Sequence, residues 1–174
     1  SIDDDNSGYS NGNGDSFANP GETIELGTYL KNFGTSVTAT NVNASLESFD
    51  NDLVDVLDGV RNYGDIAPGQ SVLNGTPFVI HIKNTAREND IARVKVTATD
   101  ANNDSWYSVI EIPVKAPKFN VTSVTFPGGN GRLDPGETAQ MVLTLANNGS
   151  VNATGVTGTI STDDDYTTIT TANG

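Results

Sequence analysis

A segment near the start of the chain recurs near its end, and this repeat constrains the fold more than any other feature of the sequence. Residues 15–34 read DSFANPGETIELGTYLKNFG, and residues 130–149 read NGRLDPGETAQMVLTLANNG, aligned without gaps. The repeat distance is about 115 residues, which is the size of a sandwich domain and too long for a solenoid repeat. The sequence therefore predicts two similar units, the second shorter than the first.

Alternation of apolar and polar residues is the dominant pattern within the first unit. The alternating segments cover residues 24–30, 42–46, 54–57, 78–82, 92–98 and 106–114. Between them, DANND at 100–104 and APGQ at 67–70 favour turns, because Asn, Asp and Gly tolerate left-handed backbone conformations. No segment shows the period of an amphipathic helix. About seven short strands with turns between them predict an all-β fold, an antiparallel β-sandwich.

The segment VKAPKF at residues 114–119 separates the two units, and its Pro117 favours an extended backbone at the preceding residue. We place the first unit at residues 1–115, the linker at 116–118 and the second unit at 119–174. The second unit has about half the length of the first, so its sheet lacks an opposing sheet. Either the given chain stops before the second unit is complete, or the first unit or a second copy of the chain covers that face, and the last case makes a homodimer a candidate assembly.

Residues 11–22, NGNGDSFANPGE, carry oxygen-bearing groups at the spacing of a calcium loop. The expected Ca²⁺ ligands are Asn11, Asn13, Asp15, the Phe17 carbonyl, Asn19 and Glu22. Calcium prefers oxygen ligands, and alternate side chains of a tight loop can converge on one ion. The acidic residues Asp3, Asp4 and Asp5 just upstream are further candidate donors. The loop departs from the common pattern in having Ser16 where glycine is usual and in being followed by a strand pattern.

The second copy of this loop keeps part of the ligand pattern. Asn130, Asp134 and Glu137 occupy the positions of Asp15, Asn19 and Glu22, whereas Phe126 and Gly128 offer no side-chain ligand. An alternative stays open for both loops, because Asn, Gly and Pro-Gly are also common turn residues and the glutamate can simply accept hydrogen bonds from loop amides. The recurrence of the oxygen-bearing positions favours calcium.

The sequence gives no indication of catalysis. His81 is the only histidine, and its neighbours Ile80 and Ile82 alternate with it, so His81 is expected to face solvent or a satisfied edge. No glycine-rich phosphate loop precedes a helix pattern, and paired carboxylates carry no information in so acidic a chain. The acidic runs at 50–55 and 163–165 are expected to be solvated turn charges. We therefore expect a non-enzymatic fragment.

Trp106 and Tyr107 are the alternative candidate site, because exposed aromatic side chains bind sugars in many sandwich domains. Neighbouring side chains of a strand point to opposite faces, so we expect one of the two to be buried and the other to be exposed. The burial tendency of tryptophan favours Trp106 as the buried one, packed between the sheets. A carbohydrate-binding module that uses these residues is the alternative function.

Charge and composition limit the remaining functions. The formal net charge is −13, from 9 basic and 22 acidic residues, which disfavours nucleic acid and anionic membranes as partners. The chain has no cysteine, which excludes disulfides and thiolate zinc sites. It begins without an initiator methionine and shows no apolar run of membrane-spanning length, so we interpret it as part of a longer secreted protein.

Several motifs occur in an order that resembles a known family. The first unit contains an acidic start, GNGD, NPGET, LKNFG, YGDIAPGQS at 63–71 and NNDSW at 102–106, and the second opens with GNGRLDPGET at 129–138. This order is similar to the immunoglobulin-like accessory repeats of secreted bacterial gingipain-like cysteine peptidases and related exported surface hydrolases. The resemblance covers the whole first unit and the first half of the second.

The resemblance implies an immunoglobulin-like antiparallel β-sandwich, one complete unit plus the first half of a second similar unit. It also implies a non-catalytic extracellular or cell-surface module that acts as a spacer, stabiliser or adhesion surface beside a hydrolase or adhesin. Expected partners are the neighbouring domains of the same polypeptide, with a polysaccharide or a host or cell-surface protein as further candidates.

Overall fold

The computed structural model describes residues 1–49 and 51–173, so Asp50, which belongs to the acidic run at 50–55, and Gly174 lie outside it. The described residues form strands and no helix, and nothing in them can span a bilayer as a helix. The strands are β1 (Ile2–Asp3), β2 (Thr23–Leu26), β3 (Tyr29–Lys31), β4 (Ala39–Ser48), β5 (Val54–Asp58), β6 (Val60–Ile66), β7 (Ser71–Leu73), β8 (Phe78–Ile82), β9 (Ile91–Thr99), β10 (Ser105–Pro113), β11 (Phe119–Thr125) and β12 (Val142–Asn147).

Eight strands form two antiparallel sheets of four strands each. The first sheet has the order β1-β2-β8-β5, and the second has the order β10-β9-β4-β6. Strands β3 and β7 pair as a separate two-stranded ribbon. Two hydrogen bonds between Thr28 and Asn74 extend this ribbon by one residue pair: the Thr28 N–H donates to Asn74 Oδ1, and the Asn74 N–H donates to the Thr28 carbonyl.

The core lies between the two sheets, and many of its residues are alternate positions of the predicted strands. Ile24, Ile80 and Ile82 are fully buried on the first sheet, and Ala92 and Val94 are fully buried on the second. Burial of these side chains is the main driving force for packing one sheet on the other. The prediction of an all-β sandwich is confirmed, and its immunoglobulin-like character stays a prediction.

One side of the sandwich is closed by a chain crossing from the first sheet to the second at Gly59. β5 pairs with β8 in the first sheet, and β6 pairs with β4 in the second, with only Gly59 between β5 and β6. The Leu46 N–H donates to the Gly59 carbonyl at 2.7 Å, and a Cβ on Gly59 would lie 2.7 Å from the Leu46 carbonyl oxygen. The crossing therefore needs a residue without a side chain.

The opposite side of the sandwich is formed by β1 and β10, and the loop between β1 and β2 covers part of it. β1 has two residues and β10 has nine. The loop from β1 to β2 reaches across this side, because Ala18 forms a parallel bridge with Val114, and the Ala18 carbonyl accepts a hydrogen bond from the Lys115 N–H at 2.9 Å. The loop that contains the candidate site is thus attached to the chain segment that leaves β10.

The segment after β10 is anchored, whereas the residues that follow form no core. Ala116 is buried, and its N–H donates to Glu88 Oε2 at 2.7 Å. The other oxygen of Glu88 accepts a hydrogen bond from the Ser150 hydroxyl. β11 and β12 pair with each other, yet no described residue from 119 to 173 is buried. Apolar side chains such as Val121 and Leu145 are about half exposed on this pair.

Candidate metal centre

The loop between β1 and β2 is organised around the carboxylate of Asp4. This side chain is only 1% exposed. Its Oδ2 accepts hydrogen bonds from the Gly14 N–H at 3.0 Å and the Asp15 N–H at 3.2 Å, and its Oδ1 accepts one from the Ser16 N–H at 3.0 Å. Hydrogen bonds to an ionised carboxylate are stronger than neutral ones, so Asp4 holds the middle of the loop in place.

Glu22 closes the same loop from its other end. It is 8% exposed, and its two oxygens accept hydrogen bonds from the Asn13 N–H at 3.1 Å and the Asn19 N–H at 3.0 Å. The Pro-Gly pair before it forms a tight turn, in which Gly21 has a φ of 87° and the Glu22 N–H donates to the Asn19 carbonyl at 3.2 Å. Proline and a glycine with positive φ are the residues that a type II turn requires.

Gly12 allows the two carboxylate-bearing residues to approach each other. A Cβ at this position would lie 2.7 Å from the Asp4 carbonyl oxygen and 3.0 Å from the Glu22 carboxyl carbon. Any larger residue would push Asp4 and Glu22 apart. The glycine-rich character of the loop therefore serves close packing of acidic residues at this point, in addition to the turn.

Burial, hydrogen bonds and neighbouring carboxylates all act on the charge of Glu22. Burial raises the pKa of Glu22, and the negative charges of Asp4 and Asp15 raise this pKa further. In the described part of the chain, no lysine or arginine forms an ion pair with any of these three carboxylates. The hydrogen bonds from the Asn19 and Asn13 N–H groups lower the pKa of Glu22 in part, so loop amides rather than a basic side chain compensate the buried Glu22.

Four of the predicted ligands of the first loop lie together. The Asn13 side-chain amide donates to Asn19 Oδ1 at 2.6 Å, and Asn13 Oδ1 accepts the Asp15 N–H at 2.9 Å. Both backbone amides held by Glu22 belong to this pair of asparagines. Asn13, Asp15, Asn19 and Glu22 therefore form one polar cluster, to which Asp4 is added by tertiary structure.

The other two predicted ligands, Asn11 and Phe17, are held through their backbone groups. The backbone of Asn11 pairs with Thr23, through hydrogen bonds of 2.9 and 3.0 Å, and its side chain is exposed. The N–H of Phe17 donates to Asp15 Oδ1 at 2.9 Å, and the Phe17 ring is about half exposed. Asn11 is thus held as an extension of the β-structure, and Asp4 is a carboxylate that the twelve-residue spacing does not include.

The chemistry of the cluster suits a hard cation. Its donors are carboxylate and amide oxygens, which are the groups that Ca²⁺ prefers. No group of three or more His, Cys, Asp or Glu side chains in the described residues is arranged to hold a metal ion. A Ca²⁺ ion at this position would therefore require amide or carbonyl oxygens in addition to Asp4 and Glu22.

The second loop repeats the turn but not the buried cluster. The Asp134 N–H donates to Glu137 Oε2 at 2.9 Å, which matches the hydrogen bond from Asn19 to Glu22. Asp134 also accepts the Asn130 amide at 2.7 Å and pairs with Arg132 at 3.0 Å. Phe119 stands where the repeat spacing would require a second Asp4. In the second loop the Arg132 side chain therefore already compensates the charge of Asp134, and the loop has no counterpart of the buried Asp4.

Trp106 and Tyr107 do not divide into one buried and one exposed residue, so that expectation is wrong. Trp106 is 56% exposed and Tyr107 is 71% exposed. Trp106 lies on the same face of β10 as the buried Ile112, which is the inner face of the sheet. Along this face the side chains become more exposed from Ile112 through Ile110 to Ser108 and Trp106. The inner face near the start of β10 is not covered by the first sheet, and the two aromatic residues lie on opposite faces of the strand.

His81 is part of the first β-sheet. It lies on β8, a central strand of the first sheet, where it is paired with Thr23 on one side and Asp55 on the other. Its ring is half-buried, and Nδ1 lies 3.5 Å from the Thr23 hydroxyl. As expected from its alternation with the buried Ile80 and Ile82, His81 lies on the outer face of the sheet.

Comparison with protein families, with curated proteins and with solved structures gave no significant match. The resemblance to accessory repeats of secreted peptidases therefore rests on the sequence motifs alone.

Proposed function

We propose that this chain is a non-catalytic, calcium-stabilised extracellular accessory module of a larger secreted protein, a multidomain hydrolase or an adhesin. In this proposal the loop between β1 and β2 binds one Ca²⁺ ion. The ion compensates the charge of Asp4, Asp15 and Glu22 and stabilises the sandwich and its connection to the following segment.

The observation that supports the proposal most strongly is a pair of buried carboxylates that, among the described residues, form no ion pair with a lysine or arginine. Asp4 and Glu22 are both almost fully buried, and they approach each other around Gly12. Bringing like charges together in a buried site costs free energy unless an opposite charge compensates them. A bound divalent cation would convert this repulsion into attraction.

The same loop contacts the segment that leads to the second unit. The Asn19 side-chain amide donates to the Lys115 carbonyl at 2.9 Å, and the Lys115 N–H donates to the Ala18 carbonyl. Ordering of the loop by calcium would therefore also order the start of the linker. This is the behaviour required of a spacer that must hold neighbouring domains in a defined orientation.

The proposal is tested by thermal unfolding in Ca²⁺ and in chelator, together with calorimetric titration of Ca²⁺. A ligand that binds only the folded state raises its stability by mass action, by about 2.7 kcal/mol at a hundredfold excess over Kd. We expect a higher melting temperature in Ca²⁺ and one binding event of high affinity. Equal melting temperatures in both conditions would refute the proposal.

Variants identify the site. Asp4→Asn and Glu22→Gln should each reduce the calcium-dependent increase in melting temperature, because each removes a charged oxygen donor. Asp104→Asn, at an exposed turn position, is the matched control and should leave the increase unchanged. Glu137→Gln tests the second loop in the same way.

The exposure of both aromatic residues supports a second candidate, the carbohydrate-binding module. A sugar stacking on one face of β10 can use either Trp106 or Tyr107, since the two lie on opposite faces. Affinity electrophoresis in polysaccharide gels distinguishes the candidates. Retardation that is lost in Trp106→Ala or in Tyr107→Ala, but not in both, would support sugar binding.

A further inference from the structure

The outer edge of β10 is a long, unpaired strand edge. β10 runs for nine residues and pairs with β9 along its full length on one side. On its other side, in the described part of the chain, the only bridge is the one between Ala18 and Val114, beyond the end of the strand. The backbone N–H and C=O groups along this edge are therefore available to another strand.

The sequence of this edge has few of the features by which proteins block strand addition. Natural edges commonly carry lysine, proline, a bulge or an inward-pointing charge. In β10, residues 105–110 read SWYSVI and contain no charge, the register with β9 is continuous, and Pro113 lies at the last position. The neutral part of the edge coincides with the part that the first sheet leaves uncovered.

A groove of about 520 Å³ runs beside this edge, between the two sheets. Leu26 and Ile2 line it from the first sheet, and Ile110 and Ile112 line it from the second. The groove continues the hydrophobic core to the surface, because Leu26 and Ile112 are themselves core residues. A strand added on β10 would place into this groove those alternate side chains that lie beside Ile110 and Ile112.

The charges around the groove specify what kind of strand fits. Glu111 lines the groove, Asp3 follows the lining residue Ile2, and Asp15 precedes the lining residue Ser16. No lysine or arginine is among the described lining residues. Glu111 is paired with Arg93 at 3.1 Å, but the chain as a whole has a net charge of −13. This charge opposes pairing between two copies of the chain and favours a basic partner.

We propose that the β10 edge and its groove bind an extended peptide segment of a partner protein by strand addition, and that this segment alternates apolar and basic residues. The peptide backbone hydrogen-bonds to the free edge of β10. The apolar side chains enter the groove between Leu26 and Ile110. The basic side chains lie on the opposite face of the added strand and at its ends, where the acidic rim and the negative field of the module attract them.

The test uses a synthetic peptide of alternating valine and lysine of about eight residues, the length that β10 can pair. Trp106 is the only tryptophan of the chain and lies on β10, so its fluorescence reports binding directly. We expect a saturable change of Trp106 emission. A peptide of the same composition with the valines and lysines in separate blocks should bind at least about tenfold more weakly, which corresponds to about 1.4 kcal/mol, and a valine–glutamate peptide should give no change.

Protein variants locate the binding surface. Ser108→Lys places a charge at an exposed position on the face of β10 that also carries the groove residues Ile110 and Ile112, and should weaken binding of the alternating peptide at least about tenfold. Val60→Lys adds the same charge to β6, the other edge of the same sheet, and should leave binding unchanged. Unchanged melting temperatures would show that both variants are folded.

Three results would overturn the proposal. Equal affinity for the alternating and the block peptide would show that attraction is purely electrostatic. Equal affinity of the wild type and Ser108→Lys would place the peptide elsewhere. Concentration-dependent dimerisation that is abolished by Ser108→Lys would show that a second copy of the chain occupies the edge.

Discussion

The side-chain amide of Asn19 donates a hydrogen bond to the carbonyl of Lys115 at 2.9 Å, although 96 residues of chain separate them. Asn19 thereby has two roles at once. Its amide nitrogen holds the segment that leaves β10, and its oxygen accepts the Asn13 amide within the polar cluster. The loop geometry and the path of the linker are therefore mechanically connected through one side chain.

Replacement of Asn19 by aspartate separates these roles. The carboxylate cannot donate to the Lys115 carbonyl, and this unmet contact should lower the free energy of unfolding in chelator by about 1–3 kcal/mol. The same carboxylate is a stronger calcium ligand, so the difference between the melting temperatures in Ca²⁺ and in chelator should increase. Asn103→Asp, at an exposed turn position, is the control. A loss of stability without an increased calcium effect would show that Asn19 is no ligand.

Glu22 should give the module a characteristic dependence on pH. Its pKa is raised in the folded state by burial and by Asp4 and Asp15, so the folded state binds this proton more tightly than the unfolded state does. The resulting stabilisation is complete below the ordinary glutamate pKa of 4.5 and is lost as the pH rises through the raised pKa.

The measurement is the free energy of unfolding of the wild type and of Glu22→Gln between acidic and neutral pH in chelator. The free energy of unfolding of the wild type, relative to that of Glu22→Gln, should fall as the pH rises through the raised pKa of Glu22. Ca²⁺ should make this fall smaller, because it stabilises the ionised form of Glu22. The lowered pKa values of Asp5 and Glu88 act in the opposite direction. Their effects on the free energy of unfolding are the same in the wild type and in Glu22→Gln, so they cancel in the difference between the two proteins.

Ser16 should be replaceable by glycine with a gain in stability. Ser16 has a φ of 65°, whereas Gly131 at the corresponding position of the second loop has a φ of 80°. A left-handed conformation costs a residue with a side chain about 1–2 kcal/mol, and the greater freedom of unfolded glycine offsets part of this. Chemical denaturation of Ser16→Gly should show a gain of about 0.5 kcal/mol. A loss of stability would indicate that the serine side chain contributes a contact of its own.

Gly59 should not tolerate even a methyl group. The added Cβ of Gly59→Ala would lie 2.7 Å from the Leu46 carbonyl oxygen and 2.8 Å from Val56 Cγ1. Overpacking of this kind costs about 1–3 kcal/mol, which denaturant unfolding would measure. Gly75→Ala is the control, because a Cβ there has no atom within 4 Å. Equal stability of the two variants would mean that the β5-β6 crossing adapts without cost.

The sequence predicted the parts of the fold that depend on local periodicity. Alternation identified Ile24, Ile80 and Val94 as core positions because a strand with one buried face repeats every two residues. It missed β6, whose buried positions include Arg61. That guanidinium donates to the Pro77 carbonyl and lies over the Phe78 ring at 5.4 Å, so a polar residue occupies a position where the pattern requires an apolar one.

The candidate site was predictable only in part, for a related reason. Spacing identified Asn13, Asp15, Asn19 and Glu22, because their proximity depends on one local loop. Asp4 reaches the cluster only because β1 pairs with β2 and returns the chain to the loop, and sequence spacing does not contain that information. The exposure of Trp106 was missed because the burial tendency of tryptophan is an average over positions, whereas the uncovered start of β10 is particular to this fold.

The strand crossing at Gly59 has a consequence for how the module opens. Because β5 and β6 are continuous across Gly59, the two sheets are joined covalently on that side and cannot separate there without breaking both strand pairings. Transient opening must then begin on the side of β1 and β10, where backbone amides should exchange with deuterium first. The side of β5 and β6 therefore stays closed while the side of β1 and β10 opens. The loop that carries Asp4 and Glu22 holds the opening side together through the contacts of Ala18 with Val114 and Lys115.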